Sequence, residues 1–152
     1  MEKLYLDTSV FGGYFEHEFE IWSKILFDKI FNRDFYVIFS DVLDGELQLA
    51  PERVKELALR IPHDMNEYVS LNDQAIHLAE QYINEGVVGK TSLADCFHIA
   101  LATLNNADVL ISWNFKHIVN FRRIRGYNAV NYKFGHKILD IRTPREILDY
   151  EK

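Results

Sequence analysis

The chain has 152 residues, 48% of them apolar and 14% aromatic, with a formal net charge of −6. That length suits one domain, here taken as residues 1–152, and that apolar content excludes a mainly disordered chain. The apolar runs fall short of the ~20 residues that cross a bilayer, "MEKLYLD" has no cationic lead into an apolar stretch, and the single Cys96 excludes an internal disulfide, so the expectation is a soluble cytoplasmic protein with no membrane partner.

Residues 3–6 read as a strand, ended by Asp7. Residues 16–31 read as a helix, because Phe19, Trp22, Ile25, Leu26 and Ile30 recur at three- and four-residue spacing. "FYVIFS" (35–40) is a strand with apolar residues on both faces, a pattern that suits a parallel strand covered on both sides. Residues 41–49 read as a short helix, and Pro51 opens another that Pro62 closes. "EYVSL" (67–71) is a third strand; Asn72 or Asp73 then caps a helix that Gly86 ends. Ser92 caps "LADCFHIALATLNN", "ADVLISW" (107–113) is a buried strand, "KILDI" (137–141) is the last strand, and Thr143-Pro144 starts a terminal helix. Strands alternate with helices throughout. The expected fold is therefore an α/β sandwich with a mainly parallel sheet. Ligands of such sheets sit outside the carboxyl ends of the strands, where Asp7 and Asn114 both fall.

Charge is unevenly spread. Residues 1–76 hold 7 Lys/Arg against 15 Asp/Glu, net −8, and residues 77–152 hold 10 against 8, net +2. Nonspecific coating of DNA needs clustered cations, for which an acidic chain is a poor candidate, although a metal-loaded acidic site with one basic stripe can still hold a phosphate backbone. One acid-free stretch, "FKHIVNFRRIR" (115–125), contains Lys116, Arg122, Arg123 and Arg125. It reads either as a solvated helix face or as a stripe that holds a phosphate backbone.

The acids carry two readings each. Asp7 either opens an Asx-turn with Thr8 and Ser9 or serves a site. Glu46 falls with Leu43 and Leu47 on an apolar helix side, where a carboxylate needs a partner; Asp41 and Asp44 are alternative ligands or plain solvated charges. Asp95 completes a capping box with Ser92, which accounts for an acid there without any metal. His98, one turn on, either joins a site or is a hydrogen-bonded helix residue, and Cys96 reads as a small core residue. No GxGxxG, HExxH, GxSxG or cysteine pair is present, and Gly89-Lys90-Thr91 lacks the first glycine of a phosphate-binding loop. What remains is Asp7, Glu46 and Asp95, 39 and 49 residues apart. An oxygen-only set suits Mg²⁺ or Mn²⁺, and such a cation activates water and neutralises charge on a phosphodiester.

Taken together, Asp7-Thr8-Ser9 after "LYL", Ser40 with Glu46 six residues on, Asp95 in "SLADCFHIALAT" and "DVLISWNFKHIVN" resemble the PIN-domain ribonucleases, and within them the VapC-like toxins of type II toxin–antitoxin systems. The resemblance runs from residue 3 to about 141. It implies a PIN-like fold, a three-layer α/β/α sandwich with a mainly parallel central sheet, together with Mg²⁺- or Mn²⁺-dependent cleavage of RNA, a small antitoxin partner and a homodimer. Asp7, Glu46 and Asp95 match the family's acids, Ser9 matches its polar position after the first acid, and Asn114 stands where a fourth acid is common. The implied roles are metal binding for Asp7 and Asp95, metal binding or orienting and deprotonating the attacking water for Glu46, positioning of water or phosphate for Ser9 and Asn114, and RNA steering for Lys116, Arg122 and Arg123. Competing readings are a PIN-like module that binds RNA or protein without cleaving, and an unrelated α/β phosphatase.

Overall fold

The computed structural model describes residues 1–150. Five strands form one sheet: β1 (Lys3–Leu6), β2 (Tyr36–Ser40), β3 (Asn66–Val69), β4 (Val109–Ile111) and β5 (Asp140–Arg142). Eight helices connect them: α1 (Thr8–Gly13), α2 (Glu20–Phe31), α3 (Asp41–Gln48), α4 (Glu52–Leu59), α5 (Asp73–Asn84), α6 (Leu93–Leu104), α7 (Phe121–Lys133) and α8 (Pro144–Tyr150). The order across the sheet is β3-β2-β1-β4-β5, and each neighbouring pair is parallel.

The layers follow from strand alternation. Leu4 and Leu6 of β1, Val37 of β2, and Val109 and Ile111 of β4 point to one face, against α1 to α4 and α8. Tyr5, Ile38, Leu110 and Ile141 point to the other, against α5, α6 and α7. Both faces being covered explains why these strands read as continuous apolar runs. The expected three-layer sandwich is the observed one. Among the described residues no helix is long and apolar enough to cross a membrane.

Several elements differ from expectation. The helix expected over 16–31 begins at Glu20, and a separate short helix, α1, occupies 8–13. The buried stripe of α2 is Ser23, Leu26, Phe27 and Ile30, which turns Ile25 outward at 40% exposure. The last strand starts three residues later and ends one residue later than expected, at 140–142. The capping box at Ser92 does not form: Ser92 ends a 3₁₀ turn (Lys90–Ser92), so its backbone is already turned, and its hydroxyl makes no cap bond. A reciprocal box forms instead at α8, where the Glu146 amide donates to Thr143 Oγ1 at 3.1 Å and the Thr143 amide donates to Glu146 Oε1 at 3.0 Å.

The chain winds outward from β1 through β2 to β3, then crosses back to β4 on the other side of β1. The winding direction therefore reverses between β1 and β4. Such a reversal opens a crevice at the carboxyl ends of the two strands.

Candidate active site

Asp7 stands at that crevice. Its amide donates to the Ile111 carbonyl at 3.2 Å, and its side chain is only 3% exposed. It makes no side-chain cap bond to α1, so the Asx-turn reading does not hold. Two hydroxyls hold the carboxylate: Ser9 Oγ donates to Oδ1 at 2.6 Å, and Ser112 Oγ donates to Oδ2 at 2.7 Å. Ser9 Oγ accepts from the Trp113 amide, and Ser112 Oγ from the Asn114 amide, each at 2.9 Å. The chain after β4 is thereby stitched to the start of α1 around one buried acid. Burial pushes the Asp7 carboxyl up; the Ser9 and Ser112 hydroxyls and nearby His98 oppose this and Asp95 adds to it, leaving it above the usual range.

Glu46 comes from α3, whose N-cap is Ser40: its Oγ accepts from the Leu43 amide at 3.1 Å. That cap, at the carboxyl end of β2, starts α3 beside β1. Glu46 Oε1 accepts from Thr8 Oγ1 and lies 2.6 Å from His98 Nε2. Burial pushes this carboxyl up, but the hydrogen bond and electrostatic attraction of the His98 ring, with the Thr8 hydroxyl, outweigh burial and leave it below the usual range. Asp41 and Asp44 serve the sheet edge instead: Asp41 Oδ1 accepts from the Leu71 amide, and Asp44 Oδ2 from the Tyr68 hydroxyl.

Asp95 lies in the first turn of α6 and is half-buried. With no capping box formed, no hydrogen bond fixes its carboxylate among the described residues. Burial pushes it up, His98 and His117 pull it down, Glu46 pushes it further up, and the net is upward. Asp95 thus feels Glu46, and Asp7 feels Asp95. Acids from three chain-distant elements share one electrostatic environment. The donors are hard oxygens, the chemistry that suits Mg²⁺ or Mn²⁺. As the side chains stand, no three His, Cys, Asp or Glu among the described residues are grouped closely enough to hold a metal ion.

The remaining expected residues divide. Asn114 Oδ1 accepts from the His117 amide at 3.0 Å and so closes the turn after β4. Lys116 and Arg122 are exposed. Arg123 Nη1 donates to the Val87 carbonyl, which ties α7 to the chain after α5. Cys96 is buried, its thiol pushed up to about 12, as befits a core residue.

Three residues that the sequence reading did not single out belong here. Ser112 was hidden inside a strand pattern and Tyr5 inside an apolar run. His117, whose buried Nδ1 has no hydrogen-bond partner among the described residues, lay in what read as a basic stripe. Thr8 was legible only as a neighbour of Asp7.

Comparison with known proteins adds a family. No curated protein matches the chain in sequence. Among solved structures, a chain of VapBC2 from Rickettsia felis, crystallised with a DNA fragment from its promoter, superposes at a TM-score of 0.56 and 14% identity, covering 93% of this chain and 98% of that one. A chain of FitAcB from Neisseria gonorrhoeae does so at 0.56 and 14%, covering 93% and 97%. At such identity these likenesses show the fold. The PIN domain model matches residues 4–120. That match spans most of the chain and includes Asp7, Glu46 and Asp95, and the chain belongs to the PIN domain family.

Proposed function

We propose that the protein is a Mg²⁺- or Mn²⁺-dependent endoribonuclease, the toxin of a toxin–antitoxin pair. The observation that carries this reading is that acids from three chain-distant elements share one electrostatic environment at the carboxyl end of the sheet. Asp7 is buried, Asp95 has no hydrogen-bond partner among the described residues, and burial, with a smaller contribution from the neighbouring acid, holds both above the usual carboxylate range. Like charges converging from three elements repel unless a cation joins them. Asp7, Glu46 and Asp95 would hold that cation, in part through water, since Mg²⁺ usually keeps several waters. When bound, it makes water more acidic and neutralises charge that grows on the phosphate.

The chain's own residues do the rest. Ser9 and Ser112 fix Asp7 in one orientation. Glu46, held below the usual range, stays ionised, so it can bind the cation or orient the attacking water. Lys116 and Arg122 steer the RNA backbone toward the crevice. The products are a 5′-phosphate and a 3′-hydroxyl. The resemblance to VapC-like toxins and the fold shared with a VapBC2 chain support the toxin reading, with a small antitoxin as partner and a homodimer as assembly.

The test is digestion of a generic single-stranded RNA, with and without Mg²⁺ or Mn²⁺. Wild type is expected to cleave only with the metal, and Asp7→Asn and Asp95→Asn to lose at least about 100-fold, the size of one lost electrostatic contact at a reacting centre. Equal traces in all three proteins would contradict the proposal. They would favour the second reading, an RNA- or protein-binding PIN module, which has one specific observation behind it. Asn114 supplies no charge where a fourth acid is common, and its Oδ1 already serves the His117 amide.

A further inference from the structure

Behind the acids runs a buried polar chain. His98 is 2% exposed. Its Nε2 lies 2.6 Å from Glu46 Oε1 and its Nδ1 2.7 Å from the Tyr5 hydroxyl. The Tyr5 hydroxyl lies 2.7 Å from Ser40 Oγ, which accepts from the Leu43 amide. Ser40 and Tyr5 are both fully buried.

One arrangement of protons satisfies every atom. The Leu43 amide can only donate, so Ser40 Oγ accepts there. The Ser40 proton then goes to Tyr5, and the Tyr5 proton to His98 Nδ1. That leaves a proton on Nε2 for the Glu46 carboxylate. The reverse direction would strand the Ser40 proton in the core, at the cost of a buried unsatisfied donor. Burial raises the Tyr5 hydroxyl, so it keeps its proton and its place in the chain. Thr8 is the other group holding Glu46 Oε1, and α3 is short and half-exposed, so without His98 the carboxylate is loosely placed.

We propose that His98 is a positioning residue, fixing the Glu46 carboxylate toward Asp7 and Asp95 through an Nε2–H bond whose direction is set by Ser40 and Tyr5. This rests on the metal-dependent reading above, which the test is built to separate. The first arm needs neither metal nor RNA. NMR of ¹⁵N-histidine-labelled full chain is expected to show His98 protonated at Nε2 and bare at Nδ1, with the Nε2 signal shifted in Glu46→Gln. The opposite tautomer would overturn the proposal.

The second arm titrates Mn²⁺ and follows the free ion by electron paramagnetic resonance. His98→Phe is expected to lose about 10–100-fold in affinity, the usual effect of removing a partner that orients a metal ligand. His98→Gln, whose amide can still donate to Glu46, is expected to recover most of it. Tyr5→Phe, which never touches Glu46, is expected to show a smaller loss in the same direction, and it carries the test should His98→Phe fail to fold. In RNA cleavage the loss falls on kcat and leaves KM unchanged. A folded His98→Phe or Tyr5→Phe that binds Mn²⁺ like wild type would overturn the proposal. Absence of Mn²⁺ binding by wild type would sink the nuclease reading instead, and the first arm would still decide what His98 does.

Discussion

Asp7 shows how a site and a fold compete for one side chain. A carboxylate buried in this way is hard to ionise, and its folded pKa lies above the ordinary 3.8. The native state therefore binds more protons than the unfolded chain between 3.8 and that raised value, so Asp7 makes stability fall as pH rises through this window. Glu46 works the other way: its lowered pKa adds stability above about 4.5 that is lost as pH falls through the folded value. Asp7→Asn removes the charge but also turns one acceptor of a serine hydroxyl into a donor at every pH, so the pH dependence of its stability isolates the first effect. In metal-free buffer the melting temperature of the variant relative to wild type is expected to rise by a few degrees between pH 4 and neutral pH, the size that about 1 kcal/mol has in a chain of this length. A difference that stays constant with pH, by calorimetry, would contradict this. Asp7, Glu46 and Asp95 were legible as residues because a carboxylate beside an apolar stretch asks for a reason. Tyr5, Ser112 and the direction of the His98 chain were not, since each depends on contacts between residues 35 to 105 positions apart.

Elements bring these residues together through local chemistry. Gly13 ends α1 against Trp113: a Cβ there would sit 2.7 Å from Trp113 Cδ1 and 2.8 Å from its Nε1. That indole cannot easily yield, because its Nε1 donates to Ser23 Oγ at 2.9 Å and its ring stacks on Phe19 at 4.4 Å. Gly13→Ala is expected to cost about 1–3 kcal/mol through overpacking. It should also shift tryptophan fluorescence and loosen the Trp113 amide from Ser9. Gly45, inside α3, has nothing within 4 Å of the same added atom. Gly45→Ala should stabilise by about 0.5–1 kcal/mol through helix propensity alone. Urea melts of the two variants that moved in the same direction would contradict this packing. Strand and helix types were largely readable from periodicity. The boundaries that failed did so where tertiary contact decides. The turn before α2 carries Phe19, which packs on the core at three-residue spacing from Trp22 and so extends the helical stripe one turn too early. The S-x-x-D pattern at 92 was spent on a 3₁₀ turn, whereas the T-x-x-E at 143 became a true cap.

For the whole molecule, parallel order and the crossover between β1 and β4 bring Asp7, Glu46 and Asp95 within electrostatic reach of one another. With a net charge of −6, the RNA binding proposed above would depend on local cations. For single-stranded RNA, Lys116→Ala and Arg122→Ala are each expected to lower the slope of log K against log salt by about 0.7. Arg123→Ala should instead lower stability by about 1 kcal/mol, since its guanidinium bonds the Val87 carbonyl. Salt-dependent binding of a fluorescent oligonucleotide separates the two effects, and an unchanged slope in the first pair would remove the basic stripe from the interface. The fold class was legible because alternating strands and helices leave few arrangements; how closely the acids meet was not, because side-chain placement across the crevice has no signature in one sequence. The most direct measurement is anomalous scattering from a crystal grown with Mn²⁺. The expected result is a single peak about 2.0–2.3 Å from oxygens of at least two of Asp7, Glu46 and Asp95, with water filling the other positions. Full manganese occupancy elsewhere, with these three carboxylates turned apart and empty between, would contradict the account.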